Sequence, residues 1–307
     1  MPGDPPLRFD LVVATVERTE DLAALLDSLA AQTHTAFRVV VADQNTDERV
    51  ADVLAAHPDL DILHLRAARG LSRARNVALG ELRTELDAFR AELVAFPDDD
   101  CRYAPHLLEW VARRFADDPT LDGLSGRPAA EDGATVGRWP DRATTVTPET
   151  VWHTANSHTI FLRRDLVDRI GAFDEALGLG AETLWSSGEE IDYIVRALRL
   201  GARIEYDPSL VITHPVKPVT QDELVALGRR DGASIGYVLA RNDYPARSVA
   251  RMLVRPAIGA ALSFVLLDPT RARFHAATLD GRLRGLNAGA QAARALRRAP
   301  RDAPASR

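Results

Sequence analysis

Apolar residues in the first hundred positions come in short bursts that stop at polar residues. Phe9 to Ala14 ends in Thr15, Phe37 to Ala42 ends in Asp43, and Leu93 to Phe96 ends in Pro97 and the run Asp98-Asp99-Asp100. Uninterrupted bursts of this length read as strands covered on both faces. Between the first two, Leu22, Leu25, Leu26 and Leu29 recur at helical spacing, so the chain opens strand, helix, strand. Ile62 to Leu65 is predicted as a third short strand, and Leu71 to Leu86 as a helix starting near Ser72. Ligands of such parallel sheets bind beyond the strand C-termini, so Thr15, Asp43 and Asp98 are expected along one rim.

Further on, Leu107, Leu108, Val111 and Phe115 predict a helix over His106 to Phe115. Pro128 to Pro148, rich in Gly, Pro and Thr, reads as loop with an edge strand. Thr159 to Leu162 is a strand candidate and Arg163 to Ile170 a short helix stopped at Gly171. Ile191, Ile194, Val195 and Leu198 make a clear helix closed by Gly201, and Ile204 to Tyr206 and Leu210 to Thr213 are extended pieces leading to His214-Pro215. Beyond about residue 220 a helical pattern of Ala, Leu and Arg takes over. The expected organisation is an α/β body over 1–218, with halves of about 1–100 and 101–218, a helical extension over 219–287, and a flexible basic tail over 288–307.

Composition narrows the class. Of 307 residues 46% are hydrophobic, enough for a large core, and the single Cys101 excludes an internal disulfide framework or a cysteine metal cluster. The start lacks a basic segment leading into an apolar stretch, so a reducing, cytoplasmic location is expected. The net charge of -6 hides an asymmetry: residues 241–307 hold 13 Arg and no Lys against 4 Asp and no Glu, giving +9 there and -15 before. An acidic body argues against nucleic acid as partner, which demands a continuous basic footprint. The basic C-terminal region suits an anionic membrane surface, as a peripheral contact. Its uncharged run, Pro256 to Leu267, falls short of the about 20 residues that cross a bilayer.

The chemistry starts at Asp98-Asp99-Asp100, where a turn after a strand presents neighbouring carboxylates. Hard oxygen donors suit Mg2+ or Mn2+, which take further oxygens from substrate phosphates; a solvated turn capping the next helix explains the same residues. His214 is a second metal candidate, and its imidazole suits Mn2+ better than Mg2+. Ser187 and Glu190 have capping-box spacing, yet a carboxylate at a helix N-terminus also accepts a proton from a hydroxyl, and spacing leaves both roles open. In Gly70-Leu71-Ser72-Arg73-Ala74-Arg75-Asn76, Arg73 or Arg75 could meet a diphosphate, although the glycine pattern matches neither a Walker nor a dinucleotide loop.

The order of these pieces resembles the family 2 glycosyltransferases, especially bacterial members that build cell-surface polysaccharides. The resemblance runs from about Leu11 to His214. It rests on Val12-Val13-Ala14-Thr15 with Glu17-Arg18, Leu29-Ala30-Ala31-Gln32-Thr33, Val39-Val40-Val41-Ala42-Asp43-Gln44, the Gly70 to Asn76 segment and Phe96-Pro97-Asp98-Asp99-Asp100. Gly171-Ala172-Phe173-Asp174-Glu175, Gly178-Leu179-Gly180, Gly188-Glu189-Glu190-Ile191-Asp192 and His214 complete it. It implies a GT-A fold: a Rossmann-like, mostly parallel mixed sheet flanked by helices, here with a helical C-terminal extension.

What the resemblance implies for the site can be carried over by residue. Thr15, Glu17 and Asp43 would line the nucleoside pocket, Asp43 against a pyrimidine, with Arg18 and Asp99 beside the nucleotide-sugar and Arg73 and Arg75 towards the diphosphate. Asp98 would meet ribose or metal, Asp100 and His214 would hold the metal, and Glu190, where many relatives have Asp, would be the base, with Glu189 the competing choice. Trp185, Asp192 and Asn156 would border the acceptor, with Trp152 and His153 nearby. The implied reaction is inverting transfer from a UDP- or dTDP-linked sugar to a hydroxyl of a saccharide or lipid-linked acceptor. A homo-oligomer fits the helical extension equally well. The rivals are a catalytically inactive sugar-binding or scaffold protein and a nucleotidyltransferase, whose basic Gly-rich loop is replaced here by Glu17-Arg18-Thr19-Glu20.

Overall fold

The computed structural model describes residues 6–84, 90–135, 137–216 and 218–298. The chain forms two compact units, one of Met1–Glu175 with Glu189–Lys217 and the other of Ala176–Gly188 with Pro218–Arg307.

The first unit alternates strands and helices through its opening half: β1 (Phe9–Thr15), α1 (Thr19–Ala30), β2 (Phe37–Asp43), α2 (Arg49–Ala55), β3 (Ile62–Arg66), α3 (Leu71–Thr84) and β4 (Leu93–Ala95). Then follow α4 (Leu107–Asp117), β5 (Gly123–Ala129), β6 (Thr144–Thr145), β7 (Ile160–Arg163), α5 (Arg164–Ile170), α6 (Glu189–Arg199) and β8 (Ile204–Thr213). The strands make one eight-stranded mixed sheet in the order β3-β2-β1-β4-β7-β5-β8-β6. The first four are parallel; β7 runs against both β4 and β5, and β8 is parallel to β5. The buried leucines of α1, Leu22, Leu25, Leu26 and Leu29, share a core with Leu11, Val13, Val39 and Val41, and Leu108, Val111 and Phe115 of α4 join it.

Two strands differ from the sequence reading. β5 falls mostly before the predicted loop, and its Gly-Leu-Ser-Gly-Arg-Pro-Ala sequence disguises it, because glycine and proline ordinarily weaken strands. Gly126 is there for closeness: a Cβ at this position would stand 2.1 Å from the Leu210 carbonyl oxygen. β8 is a single strand rather than two pieces. Pro208 sits inside it opposite a register shift between Ser125 and Arg127, and Arg127 Nε donates to the Pro208 carbonyl at 3.0 Å.

The second unit is built on α7 (Gln221–Arg241), α8 (Ala246–Val265) and α9 (Pro269–Arg298). A capping box between Thr220 and Glu223 opens α7. Residues 288–298, expected to fray, are instead the end of α9; 299–307 lie outside the described residues. The reason is close packing of small residues. A Cβ on Gly285 would lie 1.9 Å from the Ala233 carbonyl oxygen and one on Gly289 2.3 Å from that of Tyr237, so the α7 and α9 backbones touch. Residues 176–188, assigned to the α/β body by sequence, belong with these helices: Trp185 stacks on Tyr237 with centroids 5.3 Å apart, and Ser187 Oγ bonds Asp231 and Ser234.

Candidate active site

The rim of the sheet gathers the polar strand ends. Thr15 and Asp43 are register partners, and an isolated bridge sets Ala14 beside Asp98. The antiparallel register of β4 and β7 pairs Ala95 with Phe161; continued three residues, it brings Asp98 opposite His158. A bridge between Arg102 and Thr213 then delivers His214 to the same place.

There the acidic run fans out. Asp98 accepts from His158 Nδ1 and from Arg75 Nη2, both at 3.1 Å, and from the Ser157 hydroxyl at 3.3 Å. Asp99 turns the other way, accepting from Thr15 Oγ1 at 2.8 Å and Arg18 Nη1 at 3.0 Å. Asp100 accepts from Arg18 at 2.9 Å, and its Oδ1 lies 3.1 Å from His214 Nε2. The first and third acids therefore face the histidines. Asp98, His158 and His214 each offer a ligand atom within 4.8 Å of the others'. The two imidazoles stack at 4.8 Å, and His158 Nε2 is buried without a hydrogen-bond partner among the described residues.

Charge states follow from these contacts. Burial would raise Asp98, but the bond from His158 and the charges of His158, Arg75 and His214 outweigh it and hold the carboxyl below its ordinary value. Burial lifts Asp99 to about 6 despite Thr15 and Arg18. The Asp100 bond raises His214.

Arg75 is the hub. Its second nitrogen, Nη1, donates to Glu189 Oε1 at 2.9 Å, so one guanidinium joins the acidic run to the first residue of α6. Glu189 is thereby committed to a buried ion pair. Glu190 instead lines a small cavity with Arg75, Phe96, Ser157, Ile160, Phe173 and Tyr193. Burial, and next the charge of Glu189, push its pKa well above the ordinary carboxylate value. Ser187 Oγ lies 3.0 Å from Asp231 Oδ1 and 2.7 Å from Ser234 Oγ.

Several predicted residues sit differently from expectation. Asp43 is 0% exposed and both its oxygens are engaged, Oδ1 by Asn45 N–H and Nδ2 and Oδ2 by His64 and Arg66. Those bonds outweigh burial and lower its pKa. Arg75 is buried and positions carboxylates rather than facing a diphosphate, whereas Arg73 is exposed and lies 3.3 Å from Glu175. Asp192 is also 0% exposed and bonds Arg196 at 2.8 Å, which removes it from any acceptor surface. Glu17, at φ 61°, is exposed at the β1 end with its N–H on Asn45 Oδ1 at 2.9 Å. Asn156 precedes the 3₁₀ turn Ser157–Thr159 that carries His158. Trp185 belongs to the second unit.

Sequence reasoning missed His158, Ser157, His64 and Arg66. The signal for His158 was available: a polar residue just before a strand antiparallel to the one that ends at the acidic run. His64 and Arg66 lie in β3, which pairs with β2 up to Asp43.

The model of glycosyl transferase family 2 matches residues 10–175, more than half of the chain. A curated relative, the pre-mycofactocin glycosyltransferase of Mycobacterium tuberculosis (strain CDC 1551 / Oshkosh), is 27% identical over 199 residues, 61% of this chain and 39% of that protein. The chain thus spans about two-fifths of the length of the curated relatives it matches. Among solved structures, S. aureus TarS superposes with a TM-score of 0.58 at 19% identity, over 87% of this chain and 54% of TarS. A mannosyltransferase of Pyrobaculum calidifontis in complex with GDP-Man and Mn2+ gives 0.56 at 18%, over 92% and 88% of the two chains. TarS 1–349 in complex with UDP-GlcNAc gives 0.54 at 19%, over 95% and 92%. These likenesses show the fold: the mixed sheet with its flanking helices and a helical C-terminal part is the GT-A arrangement.

Proposed function

The chain belongs to glycosyl transferase family 2, and from that premise we propose that it moves a sugar from a UDP- or dTDP-linked donor to a hydroxyl of a saccharide or lipid-linked acceptor. The transfer inverts the anomeric carbon and uses Mg2+ or Mn2+. The observation that carries this reading is Arg75, whose single guanidinium ties Asp98 of the acidic run to the α6 start from which Glu190 projects into its cavity.

The donor set at the rim fits a divalent ion. Two imidazoles and a carboxylate offer ligand atoms within 4.8 Å, and a buried imidazole nitrogen without a partner among the described residues is costly unless a ligand takes it. Asp98, His158 and His214 would hold the ion, with Asp100 bonded to His214 behind them; the second histidine favours Mn2+ over Mg2+. Bound there, the ion would offset charge on the leaving diphosphate.

The chain's own residues do the rest. Glu190 takes the proton from the acceptor hydroxyl, and its raised pKa makes its ionised form a stronger base than an ordinary carboxylate. Arg75 holds both Glu189 and Asp98 in place through its two terminal nitrogens. Asp43 orders Asn45, His64 and Arg66, and these, rather than its carboxylate, face the nucleoside. Arg18 and Thr15 each hold an oxygen of Asp99.

The test is a nucleotide-sugar turnover assay with Mg2+, Mn2+ or chelator, beside calorimetry of donor binding. Glu190→Gln should abolish turnover and leave donor affinity intact. Normal turnover in that variant would remove the base assignment, and donor binding without turnover in the native chain would favour the sugar-binding scaffold.

A further inference from the structure

In the second unit the end of α8 and the turn after it carry four consecutive large apolar residues, Phe264, Val265, Leu266 and Leu267, each between 75% and 88% exposed. Val254, Ile258 and Leu262 continue the exposed stripe down the helix at four-residue spacing, each more than half exposed. Isolated exposed apolar side chains need no explanation, but a contiguous patch at the end of a helix does.

The turn itself adds a second observation. Asp268 N–H bonds the Ser263 carbonyl at 2.9 Å, and Leu267 takes a φ of 54°. This is the left-handed stop at a helix C-terminus that glycine ordinarily fills. A leucine there, 88% exposed, is unfavourable both for backbone sterics and for hydration. The side chain is therefore kept at a cost that folding alone does not repay.

The charge pattern says what covers it. α9 starts at Pro269 and carries exposed Arg271 and Arg273, which lie 3.4 Å from Asp268 and 3.0 Å from Asp222 in ion pairs open to solvent. At 1.5 Å per residue they lie roughly 6 and 9 Å along the chain from Leu267. Apolar segments lying in a membrane interface sink by about 5–10 Å, so both guanidinium groups reach the phosphate level when the tip is buried. Arg247, Arg251 and Arg255 follow on the first half of α8. By length and composition α8 passes for a membrane span, yet the uncharged run through its end and the turn is only Pro256 to Leu267, and α9 returns with arginines. Such a hairpin dips into a bilayer without crossing it.

We propose that the α8–α9 turn is a membrane-docking tip that inserts Phe264, Leu266 and Leu267 into one leaflet of an anionic phospholipid bilayer, with Arg271 and Arg273 on the headgroups. The docking stands apart from the glycosyl-transfer reading; only its corollary, a preference for the lipid-linked acceptor class, rests on that reading.

Flotation of the full chain with vesicles of phosphatidylcholine, alone or mixed equally with phosphatidylglycerol, tests it. The native chain should float with the anionic vesicles and be released by salt. Phe264→Ser with Leu266→Ser should lower binding at least about tenfold, since each buried apolar side chain contributes that order or more. Arg271→Gln with Arg273→Gln should lower it and flatten its salt dependence. Leu267→Gly separates docking from misfolding, because it relieves the turn: its thermal midpoint should hold or rise while vesicle binding falls. Failure to float with anionic vesicles, or unchanged flotation of the serine variant, overturns the proposal. So does a vesicle-free dimer, seen by light scattering, that the serine variant abolishes, for the tip would then pack on a second copy.

Discussion

Arg75 Nη1 lies 2.9 Å from Glu189 Oε1, with the arginine side chain 1% and the glutamate 6% exposed. The pair joins α3 to the start of α6, and the guanidinium is flanked by the Phe96 and Phe173 rings at 5.8 and 5.6 Å. An ion pair this deep is poor evidence for net stability, but removing one partner strands the other. Here Glu189 would lose its ion-pair partner inside the protein, while Asp98 would keep only His158 and Ser157.

Arg75→Met should therefore destabilise the chain by about 3–5 kcal/mol, read as a lowered urea midpoint. Arg75→Lys should recover little, since one ammonium cannot reproduce the two-pronged contact. Arg73→Ala, two residues away and exposed, should stay within about 0.5 kcal/mol of native. Equal losses at 73 and 75 would contradict the hub role.

The strands and helices that hold this pair were largely legible in the sequence because their periodicity is local. β1, β2 and α1 announce themselves through runs and i, i+3, i+4 leucines. What escaped depends on neighbours far along the chain. β5 hides because Gly126 is dictated by Leu210, which no window around residue 126 contains. Likewise the rim acids and His214 were visible as types after strands, while His158 emerges only from the β4–β7 register. Burial was the other blind spot: Arg75, Asp43 and Asp192 look like surface ligands in sequence, and only their ion pairs explain why charged groups can be inside.

The raised pKa of Glu190 fixes the sign of a pH effect. A base must be ionised to accept a proton, and a raised pKa keeps the protonated form present to higher pH. Turnover should thus fall on the acid side with a midpoint well above 4.5, the ordinary glutamate value. Glu189→Gln removes a charge that helps raise Glu190, so the acidic limb should move to lower pH. A limb that stays in place in Glu189→Gln would show that the two carboxyls do not titrate together.

His158 makes the metal reading testable without turnover. His158→Ala should weaken Mn2+ binding in calorimetry by about tenfold or more, the scale on which loss of ligands and of groups that orient them is felt. His64→Ala, whose imidazole serves Asp43 instead, should leave Mn2+ affinity unchanged and weaken nucleotide binding. Unaltered Mn2+ affinity in His158→Ala would place the ion elsewhere.

Glycines offer the sharpest test of packing, because the same substitution should act in opposite directions at two sites. Alanine is the better helix former, by about 1 kcal/mol. At Gly80 in α3 a Cβ meets nothing within 4 Å, so Gly80→Ala should stabilise by about 0.4–1 kcal/mol. At Gly285 in α9 the Cβ would stand 1.9 Å from the Ala233 carbonyl oxygen and 2.8 Å from the Tyr237 nitrogen. Those atoms are backbone and cannot rotate away, so α7 and α9 must part. Gly285→Ala should cost about 1–3 kcal/mol, outweighing the propensity gain, in thermal or urea unfolding. Stabilisation at both positions would mean that α7 and α9 do not meet backbone to backbone.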